Sequence, residues 1–437
     1  MEFRKWISIS LGAALLMSIL NGCGASYTTP NHDSAADKGG IRSAAPASPS
    51  GSNAVSLRTP AALDLTGATI ITLSGSTVSI AGSGAEAEGG VVTITEGGIY
   101  AVSGTLDNGR IIVNAGSADV TVALSGASIV CSYGSPLYIY QAGTATVHLM
   151  EGTENTLTDG ESYTFSDSLS SAADEEPNAC LYSKADLVIE GAGALAVEAN
   201  YNNGITSKDS LEIYDSAVTV DAANHGVNGK DSNTIDSAIL TVTCGGDAVR
   251  STNDSDETLG WVSVLNSTLT LTAGEDGIQA ETSAVVSAGT YAITSGGGST
   301  ATGDDVSSKG IKAGTDLTLS SGVYTLDCSD DAIHANGNVT ITGGSYTIST
   351  GDDAAHADGE LMVSGGALDI QASYEGLEGG TVTVSTPQAE MMEAVLAATV
   401  WATPSHREET VPPSPLRAAR SRCLRAETAW TPTAPLR

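Results

Sequence analysis

Short aliphatic corners recur along the chain at Ile205, Val227, Val249, Ile278, Ile311, Ile333, Ala355 and Leu377, and five of the seven intervals are 22 residues. The two longer intervals, 29 and 33 residues, read as loops inserted into one coil of a repeat. Leu211 and Ile213 follow the first corner by six and eight residues, Val218 and Val220 by thirteen and fifteen; Val339, Ile341, Tyr346 and Ile348 hold the same places in a later unit. Each pair alternates with period two, as a strand with one buried face does. Turn residues such as Ser321-Gly322 and Gly343-Gly344 separate the pairs, so each coil is predicted to carry three short strands and three turns. Units of this size bury no face alone, but stacked units share one core column. The expected fold class is all-β, a parallel β-helix of about 22 residues per coil.

The columns of this repeat sort side chains into interior and exterior. Tyr291, Tyr324 and Tyr346 share a position with Val218, Leu240, Leu269 and Leu368, which makes them core residues rather than a sugar-stacking platform. Cys244 and Cys328 fall where other coils place Ala222, Ala273 and Ala372. At a coil spacing of ~4.8 Å their separation of ~14 Å exceeds the roughly 7 Å reach of a disulfide, so both are expected to be free thiols. Cys131 and Cys180 lie outside the repeat, with no argument for pairing them. Trp261 precedes a core valine in a column otherwise holding Ser210, Ser283, Asp316, Asn338 and Glu360. It is expected to point outward and is the candidate carbohydrate-binding residue.

The two ends differ from this pattern. Arg4 and Lys5, an apolar run from Trp6 to Leu20, and Leu20-Asn21-Gly22-Cys23 form an export signal over residues 1–22. Its end resembles a bacterial lipobox, with Cys23 as the lipidated residue that would hold the protein on the outer face of a membrane. Residues 23–57 read as a flexible Ser/Ala/Pro tether, and 58–385 as the β domain. From 386 to 437 the β pattern stops and six Arg and two of the four Trp appear. Read one base out of frame, Glu390-Met391-Met392-Glu393 yields an acidic-Gly motif like Glu275-Asp276-Gly277. The tail is therefore expected to be a frameshifted, disordered segment, which sequencing of the locus tests.

Charge narrows the function. The chain carries a net −33, and outside the signal and tail it holds 10 basic against 45 acidic residues. Nucleic acid is an unsuitable partner for such a surface, and the carboxylates need divalent cations or solvent to relieve their repulsion. The positions before successive corners include Asp247, Glu275, Asp276, Asp330, Asp331, Asp352, Asp353 and Glu375. Carboxylates stacked one coil apart can share a Ca²⁺, and Asp330, Asp331, Asp352 and Asp353 make the best cluster. Solvated turns are the plain alternative. Asp254 and Asp256 in one insertion and Asp304-Asp305 in the other are further candidates without a complete calcium-loop pattern. Lys184, Lys208, Lys230, Asp209 and Asp231 read as an exposed ion-pair ladder of little energetic weight. His334 and His356, one coil apart, lack a third fixed ligand and read as stacked turn residues rather than a metal site.

Several segments in order then resemble a known family. They are Glu154-Asn155-Thr156-Leu157-Thr158-Asp159-Gly160, Asn200-Tyr201-Asn202-Asn203-Gly204-Ile205, Gly229-Lys230-Asp231-Ser232, Ser308-Lys309-Gly310-Ile311-Lys312-Ala313, Asp330-Asp331-Ala332-Ile333-His334, Gly351-Asp352-Asp353 with His356-Ala357-Asp358, and Ser373-Tyr374-Glu375-Gly376-Leu377-Glu378-Gly379. The chain is similar, over roughly residues 60 to 385, to the cellulose-binding β-helix family of bacterial surface lipoproteins, the carbohydrate-binding domain-containing proteins. The resemblance implies a right-handed parallel β-helix shaped like pectate lyases, bound calcium, and binding of cellulose-like and acidic plant polysaccharides without lytic activity. His225 departs from the family's frequent Asp and Ala355 from its larger aliphatic, which puts the metal set of those coils in doubt.

The function expected is a monomeric, lipid-anchored binder of polysaccharide on the extracellular face of the membrane. A calcium-dependent lyase with Arg250, Lys309 or Lys312 as its basic group is the enzymatic alternative, and a calcium-rigidified adhesin or spacer the structural one.

Overall fold

The computed structural model describes residues 62–301 and 307–385. The export signal, Cys23, the whole tether, Asp304, Asp305 and the segment after 385 lie outside the described residues. Among those described there is no helix, and the strands join one sheet of 32. Two hairpins open it, Thr69–Gly75 against Thr77–Ala81 and Ala85–Glu88 against Val91–Ile94, both antiparallel. Every later strand pairing is parallel.

Parallel pairing follows the 22-residue period. Leu137 pairs with Leu181 and Leu181 with Ile205, and the ladder climbs through Val227, Val249, Ile278, Ile311 and Ile333, with Ala355 opposite Leu377 at its end. A second ladder carries Leu187, Leu211, Asn233, Val262, Ala284, Leu317, Val339 and Leu361. A third carries Leu195, Val218, Leu240, Leu269, Tyr291, Tyr324, Tyr346 and Leu368. The aliphatic spacing of the sequence therefore sets the register, because a one-residue slip would turn every core side chain outward.

The tyrosines are interior, as their column requires. Tyr291, Tyr324 and Tyr346 are at most 1 % exposed, their rings 4.8 and 4.4 Å apart. Each hydroxyl donates to a turn carbonyl: Tyr291 to Ala288 O (2.8 Å), Tyr324 to Ser321 O (2.7 Å) and Tyr346 to Gly343 O (2.9 Å). An aromatic ring can enter this core because its polar end reaches the turn. Cys131, Cys180, Cys244 and Cys328 are all buried and free. Asn233 is a polar exception in the second ladder; its Nδ2 donates to Val227 O (3.3 Å) and Arg250 O (3.2 Å).

Trp261 is not exposed as expected. It is 2 % exposed, although Asp316, Asn338 and Glu360 of the same column are exposed. The cause is the insertion at 252–260, which folds back on this wall. The N–H groups of Asn253 and Gly260 donate to Lys230 O and Asp231 O, Asn253 Nδ2 reaches Asp231 Oδ1 (2.6 Å), and the Thr282 hydroxyl reaches Leu259 O (2.6 Å).

Candidate functional site

The acidic corners have a structural task that period counting does not reveal. In successive coils, the residue two before each aliphatic corner uses its side chain to accept the backbone N–H of its equivalent in the next coil. Asn203 Oδ1 accepts from His225 (3.3 Å), His225 Nδ1 from Asp247 (2.9 Å), Asp247 Oδ1 from Asp276 (3.0 Å) and Asp276 Oδ1 from Lys309 (2.8 Å). Lysine has no acceptor, so the ladder breaks there and the Asp331 N–H turns to Asp330 Oδ1 (2.9 Å). It resumes with Asp331 Oδ1 accepting from Asp353 (3.1 Å) and Asp353 Oδ1 from Glu375 (3.0 Å). Buried N–H groups must find partners, and here all but that of Asp331 find the side chain of the coil below.

One oxygen of each carboxylate is thereby committed, and the other faces an outward column one residue past the corner. Thr206, Asn228, Arg250, Gln279, Lys312, His334, His356 and Glu378 stand in register along that wall. Asp247 Oδ2 meets Arg250 Nη1 (3.3 Å), Asp276 Oδ2 meets Lys312 Nζ (3.2 Å), and Asp331 Oδ2 meets His334 Nδ1 (2.9 Å) and Lys309 Nζ (3.0 Å). Burial works against ionisation of Asp331, yet His334, His356 and Lys309 hold its carboxyl well below the usual range. Asp353 moves the other way, pushed up by burial and by Glu378 and Asp331 beside it. Asp352 is also raised, by burial and by Asp353, Asp331 and Asp330.

At the other end of the column the side chains are neutral. Thr206 and Asn228 are outward by alternation but only 3 % and 7 % exposed. Thr206 Oγ1, Asn228 Oδ1 and Arg250 Nε have no hydrogen-bond partner among the described residues. Beyond Thr206, Glu176 from the 160–178 loop is clamped by Lys184 and Lys208, both at 2.7 Å. Burial opposes its ionisation, but the two lysines hold it down to about 2. Lys184 and Lys208 thus serve the loop.

Of the carboxylates singled out from sequence, Asp330, Asp331 and Asp352 each place an oxygen within 4.8 Å of the others, and Asp247 and Glu275 do so with His225. Asp276 is committed to Lys309 and Lys312. Asp254 and Asp256 are not gathered with them; Asp256 accepts from the Thr258 N–H and hydroxyl inside its own loop. Glu375 contributes its N–H to the ladder. Trp261, being buried, presents no stacking face. An aromatic group that sequence reading passed over, Tyr163 stacked on Tyr201 at 4.2 Å with Phe165 6.5 Å from Tyr201, is partly exposed.

The model of the carbohydrate-binding domain-containing protein family matches residues 88–354, more than half of the chain. The chain belongs to this family. A relative of the same description from Acetivibrio thermocellus is 40% identical over 132 residues, 30% of this chain and 45% of that protein, so the chain spans just under half of that relative's length. The solved polysaccharide lyase-like protein from C. thermocellum, determined as a gadolinium derivative, is similar in fold at TM-score 0.50 and 25% identity, over 71% of this chain and 99% of that one.

Proposed function

We propose that this member of the family is a right-handed parallel β-helix that binds cellulose-like or acidic plant polysaccharide, tethered outside the cell through a lipidated Cys23 and stabilised by calcium. The observation carrying this reading is the outward column from Thr206 to Glu378, flanked by corner carboxylates, in which Arg250, Gln279, Lys312, His356 and Glu378 are partly exposed. Its rungs repeat at ~4.8 Å, comparable to the rise of one sugar in an extended glycan, so hydroxyls of successive sugars meet successive coils. Many such bonds replace the single tryptophan that the fold buries, and Tyr163, Phe165 and Tyr201 offer an aromatic edge.

Asp330, Asp331 and Asp352 supply the hard oxygen donors that calcium prefers, and gadolinium, named for the solved relative, is a hard cation of the same preference. Bound there, calcium would neutralise the corner and offer an open position to a uronate carboxylate. A lyase needs an unprotonated base beside the metal. Here burial opposes but Asp330 and Asp331 raise the affinity of Lys309 for its proton, and Arg250 and Lys312 are each held by a carboxylate. This favours binding over catalysis.

The test is co-sedimentation of the full chain with insoluble cellulose and with calcium-gelled polygalacturonate, with and without chelator. Retention that falls in Arg250→Ala and Gln279→Ala supports the column as the binding face. No retention on either polymer in either condition defeats the proposal, and ultraviolet-absorbing unsaturated product from polygalacturonate would replace it with the lyase.

A further inference from the structure

We propose that Asp331, His334 and His356 form a site for a transition-metal dication of the zinc class, which shares Asp331 with the carboxylate cluster of Asp330 and Asp352 and differs from it in its two nitrogen donors. One donor atom from each of the three lies within 4.8 Å of the other two. Asp331 supplies the third fixed ligand that the two histidines lack in sequence, and the fold delivers it because Asp331 and His334 are three residues apart around one corner while His356 stacks one coil above His334.

The second observation concerns the far side of each ring. His334 Nδ1 lies 2.9 Å from Asp331 Oδ2, and its Nε2 lies 3.0 Å from Asn336 Oδ1. His356 repeats the arrangement, with Nδ1 3.6 Å from the same Asp331 Oδ2 and Nε2 3.6 Å from Asp358 Oδ1. The His334 ring is thus placed between two acceptors, yet a neutral imidazole has one N–H to give. With His334 Nε2–H donated outward to Asn336 Oδ1, its Nδ1 lone pair faces Asp331 Oδ2, as His356 Nδ1 does from 3.6 Å, and a cation between them satisfies all three. An oxygen that holds the outer N–H of a ligating histidine is the usual support of a metal site, since it fixes tautomer and ring orientation.

The dimensions agree. Ligands about 2.0 to 2.2 Å from a tetrahedral zinc stand ~3.3 Å from one another, and the two Nδ1 to Oδ2 distances, 2.9 and 3.6 Å, bracket that value. Water completes the set on the side where His356 is 27 % exposed. Lys309 competes for Asp331 Oδ2 from 3.0 Å, but it also holds Asp330 Oδ2 at 2.7 Å and stays on that oxygen when metal takes Asp331. Two nitrogens among three ligands select against calcium and magnesium.

The experiment strips the full chain with chelator and titrates it with Co²⁺, read by its visible absorption, then with Zn²⁺ in competition, throughout in excess Ca²⁺. One equivalent is expected to bind with a tetrahedral spectrum that Zn²⁺ abolishes and Ca²⁺ does not. His334→Gln and His356→Gln should each weaken binding by more than about 100-fold, and Asn336→Leu by about 10- to 100-fold, while Asn336→Asp, which keeps the acceptor, retains it. Circular dichroism keeps loss of fold apart from loss of ligand, and His356, partly exposed, is the variant least exposed to that confusion. Absence of a saturable equivalent, displacement by Ca²⁺, or unchanged affinity in a folded His356→Gln overturns the site. None of these outcomes depends on polysaccharide binding.

Discussion

The two halves of the corner column make the same backbone bonds with different chemistry. In one half, Asn203 Oδ1 accepts the next coil's N–H at 3.3 Å; in the other, Asp331 and Asp353 do so at 3.1 and 3.0 Å. An amide therefore suffices for the ladder, and the fold does not require a carboxylate there. What the acidic half adds is a second, negatively charged oxygen per coil, which in Asp331 collects Lys309, His334 and His356. The neutral half leaves unpaired hydrogen-bonding atoms at Thr206 and Asn228 instead. The same ladder thus runs beside buried, unpaired polar atoms in one half and beside an ion-pair cluster in the other.

The largest expected effect separates the ladder from the charge. Asp331→Ala strands the Asp353 N–H and leaves Lys309 and His334 without their shared partner, a loss of about 3 kcal/mol or more. Asn203→Ala strands a single N–H and should cost about 1 kcal/mol. Asp331→Asn keeps the ladder, so its urea midpoint should fall between Asp331→Ala and the parent chain. A midpoint for Asp331→Asn equal to that of Asp331→Ala would mean that charge alone, not the ladder, stabilises this corner.

The difference between the halves was only half legible in the sequence. Apolar residues at fixed offsets are forced by a shared core, so the register from Ile205 to Leu377 could be read without coordinates. The ladder could not, because Asn203, His225 and Asp331 look unlike one another and share only an acceptor atom. Trp261 was misplaced for a related reason. Its column follows from the repeat alone, and the insertion at 252–260, which the repeat does not describe, folds back on that wall. Asp331 as a partner for His334 and His356 was hidden by counting histidines alone, although an Asp three residues ahead of a His at a tight corner brings the two side chains together.

The histidines of the two halves should respond to pH in opposite senses. Burial, aided by Arg250, depresses His225 to about 4, so it folds neutral. Its stabilising contribution is intact above pH 6.5 and is lost as pH falls from 6.5 towards about 4. His356 is raised by Asp331 against the pull of burial. Its contribution is therefore full below pH 6.5 and is lost as pH rises through its raised value. In chelator, His225→Gln should flatten the acid side of a stability profile between pH 4 and 6.5, and His356→Gln the limb above 6.5. Equal effects on the same limb would remove the distinction.

The smallest effect should be the most discriminating for calcium. Asp352 is exposed and lies among Asp353, Asp331 and Asp330, all of which raise its proton affinity after burial has done so. In chelator, Asp352→Asn relieves like-charge repulsion and should stabilise the chain slightly, by well under about 1 kcal/mol because solvent screens the group. In Ca²⁺ the sign reverses. A cation held by Asp330, Asp331 and Asp352 stabilises the folded chain by about 2.7 kcal/mol at a hundredfold excess over its dissociation constant, and the variant forfeits most of that gain. Thermal midpoints with chelator and with Ca²⁺ measure both terms in one pair of variants. If Ca²⁺ raises the midpoints of parent and Asp352→Asn equally, the charge at this corner is answered by Lys309 and solvent, and the acidic half owes nothing to calcium.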